Sequence, residues 1–131
     1  RRGFVAASES AEFWSLPEGI HNTIPHRDGI IFNDTKSDVV RYLGQSGESV
    51  AFPVPSYREE DLEFNGVDSS KVARQSFGRG LCLVSDTLIA AGSSPSTISL
   101  YDFKKNERIA IVNLTMDIRN AIHGLEIWPF D

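Results

Sequence analysis

The chain has 131 residues, of which 40% are hydrophobic, 24% charged and 10% aromatic, enough for one packed domain and outside the disordered and collagen-like compositions. Net charge is −5 and the thirteen Lys and Arg are scattered rather than gathered into a stripe, which argues against nucleic acid as the main partner. No apolar stretch approaches the roughly 20 residues of a bilayer span, so no membrane partner is expected and the chain reads as soluble, with the cytoplasm favoured.

The chain opens on Arg1, and its first apolar run, Gly3 to Ala7, follows at once. The expectation is a piece cut from a longer chain, with residues 1–18 finishing a preceding unit. From Gly19 onward the apolar residues come in short β-branched and aromatic runs instead of at helical spacing, which predicts strands. His21 to Phe32 reads as a strand, a polar turn at Asp28 and a second strand. Val39 to Tyr42 and Val50 to Phe52 supply two more, separated by Gln45-Ser46-Gly47. Residues 55–76 hold the acidic run Arg58-Glu59-Glu60-Asp61-Leu62-Glu63 and read as an inserted surface loop with a helical turn.

A second unit follows the insertion. His21 to Asp34 aligns without a gap on Arg79 to Gly92, with the turn aspartates Asp28 and Asp86 in register. After one extra residue Tyr42 falls on Tyr101 and Glu48 on Glu107. A third copy begins at His123-Gly124-Leu125-Glu126. Arg79 stands 58 residues after His21 and His123 stands 44 after Arg79; the shorter spacing fits the roughly 40 to 45 residues of a four-stranded propeller blade. The sequence therefore predicts an all-β fold of two to three antiparallel four-stranded β-propeller blades. Their order is the end of a blade at 1–18, a blade at 19–54, the inserted loop at 55–76, a blade at 77–116 and the start of a closing blade at 117–131. Such a partial ring leaves sheet edges unprotected, so the remaining blades of a parent chain, or symmetric copies, are the expected partners.

In this register His21, Arg79 and His123 begin the innermost strands, with Asn22, Asp34 and Glu126 beside them. Polar side chains meeting at one channel mouth make a candidate site for a small polar or anionic ligand, and Arg79 in particular suits a carboxylate or phosphate. Neutral imidazoles of His21 and His123 are the candidate ligands for a divalent metal, the one cofactor considered; a histidine at such a place is also an ordinary hydrogen-bonded core residue. His26 aligns with Val84 and is expected to face inward. No catalytic residue is assigned, because no nucleophile motif or phosphate loop is present. Cys82 is the only cysteine and reads as a buried thiol. Trp128 is expected to fill the wedge between blades.

The phrases Gly19-Ile20-His21-Asn22, Asp28-Gly29-Ile30-Ile31-Phe32-Asn33-Asp34, Phe77-Gly78-Arg79-Gly80-Leu81 and Ile122-His123-Gly124-Leu125-Glu126-Ile127-Trp128-Pro129 resemble those of an uncharacterised bacterial β-propeller family similar to the six- or seven-bladed NHL and lactonase-like propellers. The resemblance implies a C-terminal part of such a ring. Lactonase-like propellers hold an axial metal mainly through Glu, Asn and Asp, whereas His and Arg occupy the mapped positions here. The sequence leaves three functional readings: a propeller binding module for a ligand or protein partner at the channel mouth, a metal-dependent lactonase- or lyase-like enzyme, or a structural part of a larger multidomain protein.

Overall fold

The computed structural model describes residues 16–64 and 74–130. Its strands are β1 (Ile20–His26), β2 (Gly29–Asp34), β3 (Val39–Gly44), β4 (Ser49–Pro53), β5 (Phe77–Leu83), β6 (Leu88–Ser94), β7 (Thr97–Asp102) and β8 (Glu107–Asn113). Each strand pairs only with its neighbours in sequence, giving two antiparallel sheets ordered β1-β2-β3-β4 and β5-β6-β7-β8. The all-β expectation holds, and the two sheets fall inside the segments 19–54 and 77–116.

The turns use the residues that the sequence offers for them. Arg27 (φ 52°) and Asp28 close the β1–β2 hairpin, and Asp28 Oδ1 accepts the Tyr42 hydroxyl at 2.5 Å. Asp102 Oδ1 accepts the amides of Lys104 and Lys105 at 2.7 and 3.2 Å, an aspartate capping its own turn. Asn106 (φ 55°) completes that turn in the left-handed region, which Asn tolerates better than other side chains.

The two sheets pack face to face. Ile31, Val40, Tyr42 and Phe52 of the first sheet join Leu81, Ile89, Ala91 and Tyr101 of the second in one buried cluster, each such side chain contributing about 1.5 to 3 kcal/mol by its removal from water. Phe52 lies 5.1 Å from Tyr101 and 5.3 Å from Phe103 between ring centroids, and Tyr101 Oη donates to the Pro53 carbonyl at 3.1 Å. His26 is buried in this core, stacked on Phe103 at 5.2 Å, so it faces inward as expected. On the opposite face of the first sheet, Leu16 closes over Ile30 and Phe32.

The sheets repeat, but not in the ungapped register. Two residues join β1 to β2, whereas Val84 N reaches Leu88 O at 2.9 Å across a three-residue turn. Matching the ladders from these turns places Ala90 where the first sheet has Ile31, Leu100 where it has Tyr42, and Val112 where it has Phe52. A slip of one residue moves a side chain to the other face of a sheet. Tyr42 and Tyr101, matched by sequence, accordingly enter the same core from opposite sides.

The described residues of the insertion, 55–64 and 74–76, are more closely tied to the body than a free surface loop. The expected helical turn is a single 3-10 turn at Glu59–Asp61, exposed and held by Arg58 to Asp61 at 2.9 Å. Beyond it Glu63 N donates to Met116 O at 2.9 Å, Glu63 forms a parallel bridge with Asp117, and the Arg119 guanidinium lies 3.5 Å above the Phe64 ring. Residues 65–73 of the insertion, like 1–15, fall outside the described residues.

Residues 118–130 form no strand. The segment instead lies on the second sheet: Ile122 N meets Ser93 O at 3.4 Å, and a side chain at Gly80 would press on Ile122 O and Gly124 at 3.2 to 3.3 Å. Trp128 does not fill a wedge. It is 77% exposed and packs on Phe130 at 5.2 Å. Cys82 is buried, and burial, followed by the charge of Glu126, raises its thiol above the ordinary range. No helix among the described residues is long and apolar enough to cross a membrane.

Candidate anion-binding cleft

A cleft of about 280 Å³ opens where β5 begins and β6 ends. Phe77, Arg79 and Ser94 line it from the sheet and Arg74 from the residues just before β5; Ile118, Arg119 and His123 line it from the segment after β8. A β-bulge in β5, between Gly78 and Leu81, turns Arg79 out of the regular ladder, and Gly80 supplies the positive φ of 73° that this needs.

The three guanidiniums in the cleft differ in what neutralises them. Arg74 meets Asp38 at 2.7 Å and also donates to the Gln75 and Thr35 carbonyls. Arg119 is clamped by Asp117 at 2.7 Å, an arrangement that holds the Asp117 carboxyl below its ordinary range. Arg79 has no carboxylate partner among the described residues, and its Nε is buried without a hydrogen bond. Arg74 and Arg119 are thus paired with carboxylates and Arg79 is not.

Arg79 is held by contacts that leave that charge uncancelled. Its Cζ sits 4.9 Å from the centre of the Phe77 ring, and Arg74 lies 5.2 Å from the same ring, both within cation–π range. Arg79 Nη1 approaches His123 Nδ1 at 3.1 Å. A guanidinium can only donate, so Nδ1 is the acceptor and the imidazole carries its proton on Nε2. His21 reaches the Phe77 ring at 5.5 Å, and burial, with Arg79 adding to it, lowers its pKa, keeping it neutral near pH 7.

Of the sequence-predicted residues, Arg79 and His123 meet in the cleft and His21 stands behind Phe77. Asn22 does other work. At φ 53° it forms the bulge of β1, and its Oδ1 accepts Gly80 N at 3.0 Å and Asn33 Nδ2 at 3.3 Å, joining the two sheets at their first strands. Asp34 is buried and held by Arg41 at 3.0 Å, with the Ser37 amide on its other oxygen. Glu126 lies near Cys82 rather than in the cleft. Arg74, Phe77 and Arg119 were not picked out from the sequence; the spacing Arg74, Phe77, Arg79 around one aromatic ring was the available signal.

His21 and His123 do not share a site among the described residues: His21 meets the Phe77 ring and His123 meets Arg79. No group of three or more His, Cys, Asp or Glu side chains that could hold one forms among the described residues, and the lone pair of His123 Nδ1 is taken by the Arg79 cation. Comparison with known proteins returns no match. No family model, no curated protein and no solved structure is similar to this chain, so the cleft itself carries the functional argument.

Proposed function

We propose that the two sheets are consecutive β-propeller blades and that the cleft at Arg79 is a channel-mouth site for a small anionic ligand, a carboxylate or a phosphate ester. Repetition of the contacts between successive units supports the propeller part. Asn22 of β1 bonds to Gly80 of β5, and Gly80 in turn abuts Gly124 in the segment that follows. Likewise Asn33 stands 3.0 Å from where a Gly78 side chain would begin, as Ile122 stands 2.5 Å from the same point on Gly92. Each sheet thus meets the unit that follows it at equivalent positions, as stacking around an axis requires.

The ligand part rests on one observation: Arg79 brings an uncompensated guanidinium with a buried, unsatisfied Nε to the wall of a cleft. A planar anion can engage such a fork through two parallel hydrogen bonds, while Phe77 offers it an apolar floor. The Ser94 hydroxyl at the cleft is engaged by the Arg74 carbonyl, and the free charge of Arg79 favours a binding role. Titration calorimetry of the protein with inorganic phosphate and a set of small mono- and dicarboxylates tests this. At least one should bind, and Arg79→Gln should weaken that binding about tenfold or more while leaving circular dichroism unchanged. Equal binding by the variant, or no binding of any probe at low salt, would overturn the proposal.

A further inference from the structure

Arg79 enters the cleft with one part of its guanidinium engaged and one edge open. Nη1 meets His123 Nδ1 at 3.1 Å, whereas Nε is buried without a hydrogen bond and Nη2 meets no acceptor among the described residues. Nε and Nη2 lie side by side on the planar group and aim two parallel N–H bonds the same way, a spacing that the two oxygens of one carboxylate fill. A buried donor left unpaired costs free energy, and an oxygen arriving at Nε removes that cost.

The remaining lining limits what stands behind those two oxygens. A phosphate ester would bring a third oxygen and a second charge, for which neighbouring donors are already committed. The Ser94 hydroxyl spends its proton on the Arg74 carbonyl. Arg74 and Arg119 are engaged by Asp38 and Asp117, each at 2.7 Å, and those carboxylates repel a second negative charge. Phe77, Ile118 and Ala121 add apolar surface, which suits a hydrocarbon body. The cleft of about 280 Å³ holds roughly nine non-hydrogen atoms at the volume one water takes in the liquid. Granted that the cleft is an anion site, we infer that its ligand is a small monocarboxylate of up to about seven carbons, and not a phosphate ester or a dicarboxylate. Its oxygens meet Arg79 Nε and Nη2 side-on, and its hydrocarbon body lies against Phe77, Ile118 and Ala121.

Calorimetric titration of the protein with the straight-chain acids from acetate to heptanoate, beside methyl phosphate and succinate, tests this at about pH 7.5, where both comparison anions are essentially divalent. Affinity is expected to rise roughly two- to fourfold with each added methylene until the cleft is full. Methyl phosphate and succinate are expected to bind at least about tenfold more weakly than the best monocarboxylate. Arg79→Lys keeps the charge and removes the fork, so it should weaken the best monocarboxylate about tenfold and methyl phosphate by less. Methyl phosphate or succinate binding as tightly as the best monocarboxylate, an affinity independent of chain length, or an unchanged affinity in Arg79→Lys would overturn the monocarboxylate assignment and leave the anion site standing. Binding of none of these probes would overturn both.

Discussion

Replacing Gly92 by Ala probes the fold and the cleft together. A Cβ at this position would lie 2.4 Å from the Arg79 carbonyl oxygen and 2.5 Å from Ile122 Cβ and Cγ2, whereas unbonded carbons settle at about 3.5 to 4.0 Å. Ile122 belongs to an irregular segment and can retreat, but the Arg79 carbonyl belongs to the strand paired with β6 and can move only by distorting the bulge. Forcing a methyl group into a filled site costs about 1 to 3 kcal/mol, and a backbone obstacle puts Gly92→Ala toward the upper end. With a urea dependence of about 1 to 3 kcal/mol per molar, the unfolding midpoint should fall by roughly 1 to 3 M. Urea titration followed by circular dichroism reads this directly. Because Ile122 precedes His123, anion binding should weaken as well. Adding Ile122→Gly should restore only the part of the stability lost to that side chain. A wild-type midpoint for Gly92→Ala would refute the reasoning, since the Arg79 carbonyl could not then lie against Gly92.

Asn22→Ala should destabilise by roughly 2 to 4 kcal/mol, from the unpaired Gly80 amide and from placing a Cβ-bearing residue without a local partner at positive φ; Asn22→Gly, measured by the same urea titration, should recover about 1 kcal/mol of that. His26 makes stability depend on pH. Burial and Arg27 hold its imidazole below the ordinary value, against a smaller opposing pull from Asp86, so the folded state favours the neutral ring. Its contribution is complete above the unfolded value of about 6.5 and is lost as pH falls from there through the lower folded value. Urea midpoints taken on both sides of this window should show the loss, and His26→Phe should reduce it, leaving the contribution of His21, which has the same sign. Asp34→Ala leaves Arg41 without its carboxylate and should cost roughly 2 to 3 kcal/mol, yet leave the affinity for a cleft anion unchanged in calorimetry, because Asp34 faces Arg41 and not Arg79.

The repeat, the strand content and the four-strand units were legible in the sequence, because turn chemistry and period-two burial are local properties. Asp28, Asp102 and Asn106 announce their turns by their own side chains, and the short apolar runs between them can only be strands. The convergence of Arg79 with His123 was also legible, since a repeat carries equivalent strand starts to one end of the assembly. The facing of each residue was not. One additional residue in the β5–β6 turn exchanges the two faces of the second sheet, and an ungapped match of Tyr42 to Tyr101 gives no sign of it. Nor does a sequence show how charges are divided: Asp34 looks like a ligand until Arg41 is found on it, and Asp38 and Asp117 pair with Arg74 and Arg119 while Arg79 meets no carboxylate among the described residues. Those pairings depend on through-space distances of a few ångströms between distant segments, and only the tertiary packing sets them.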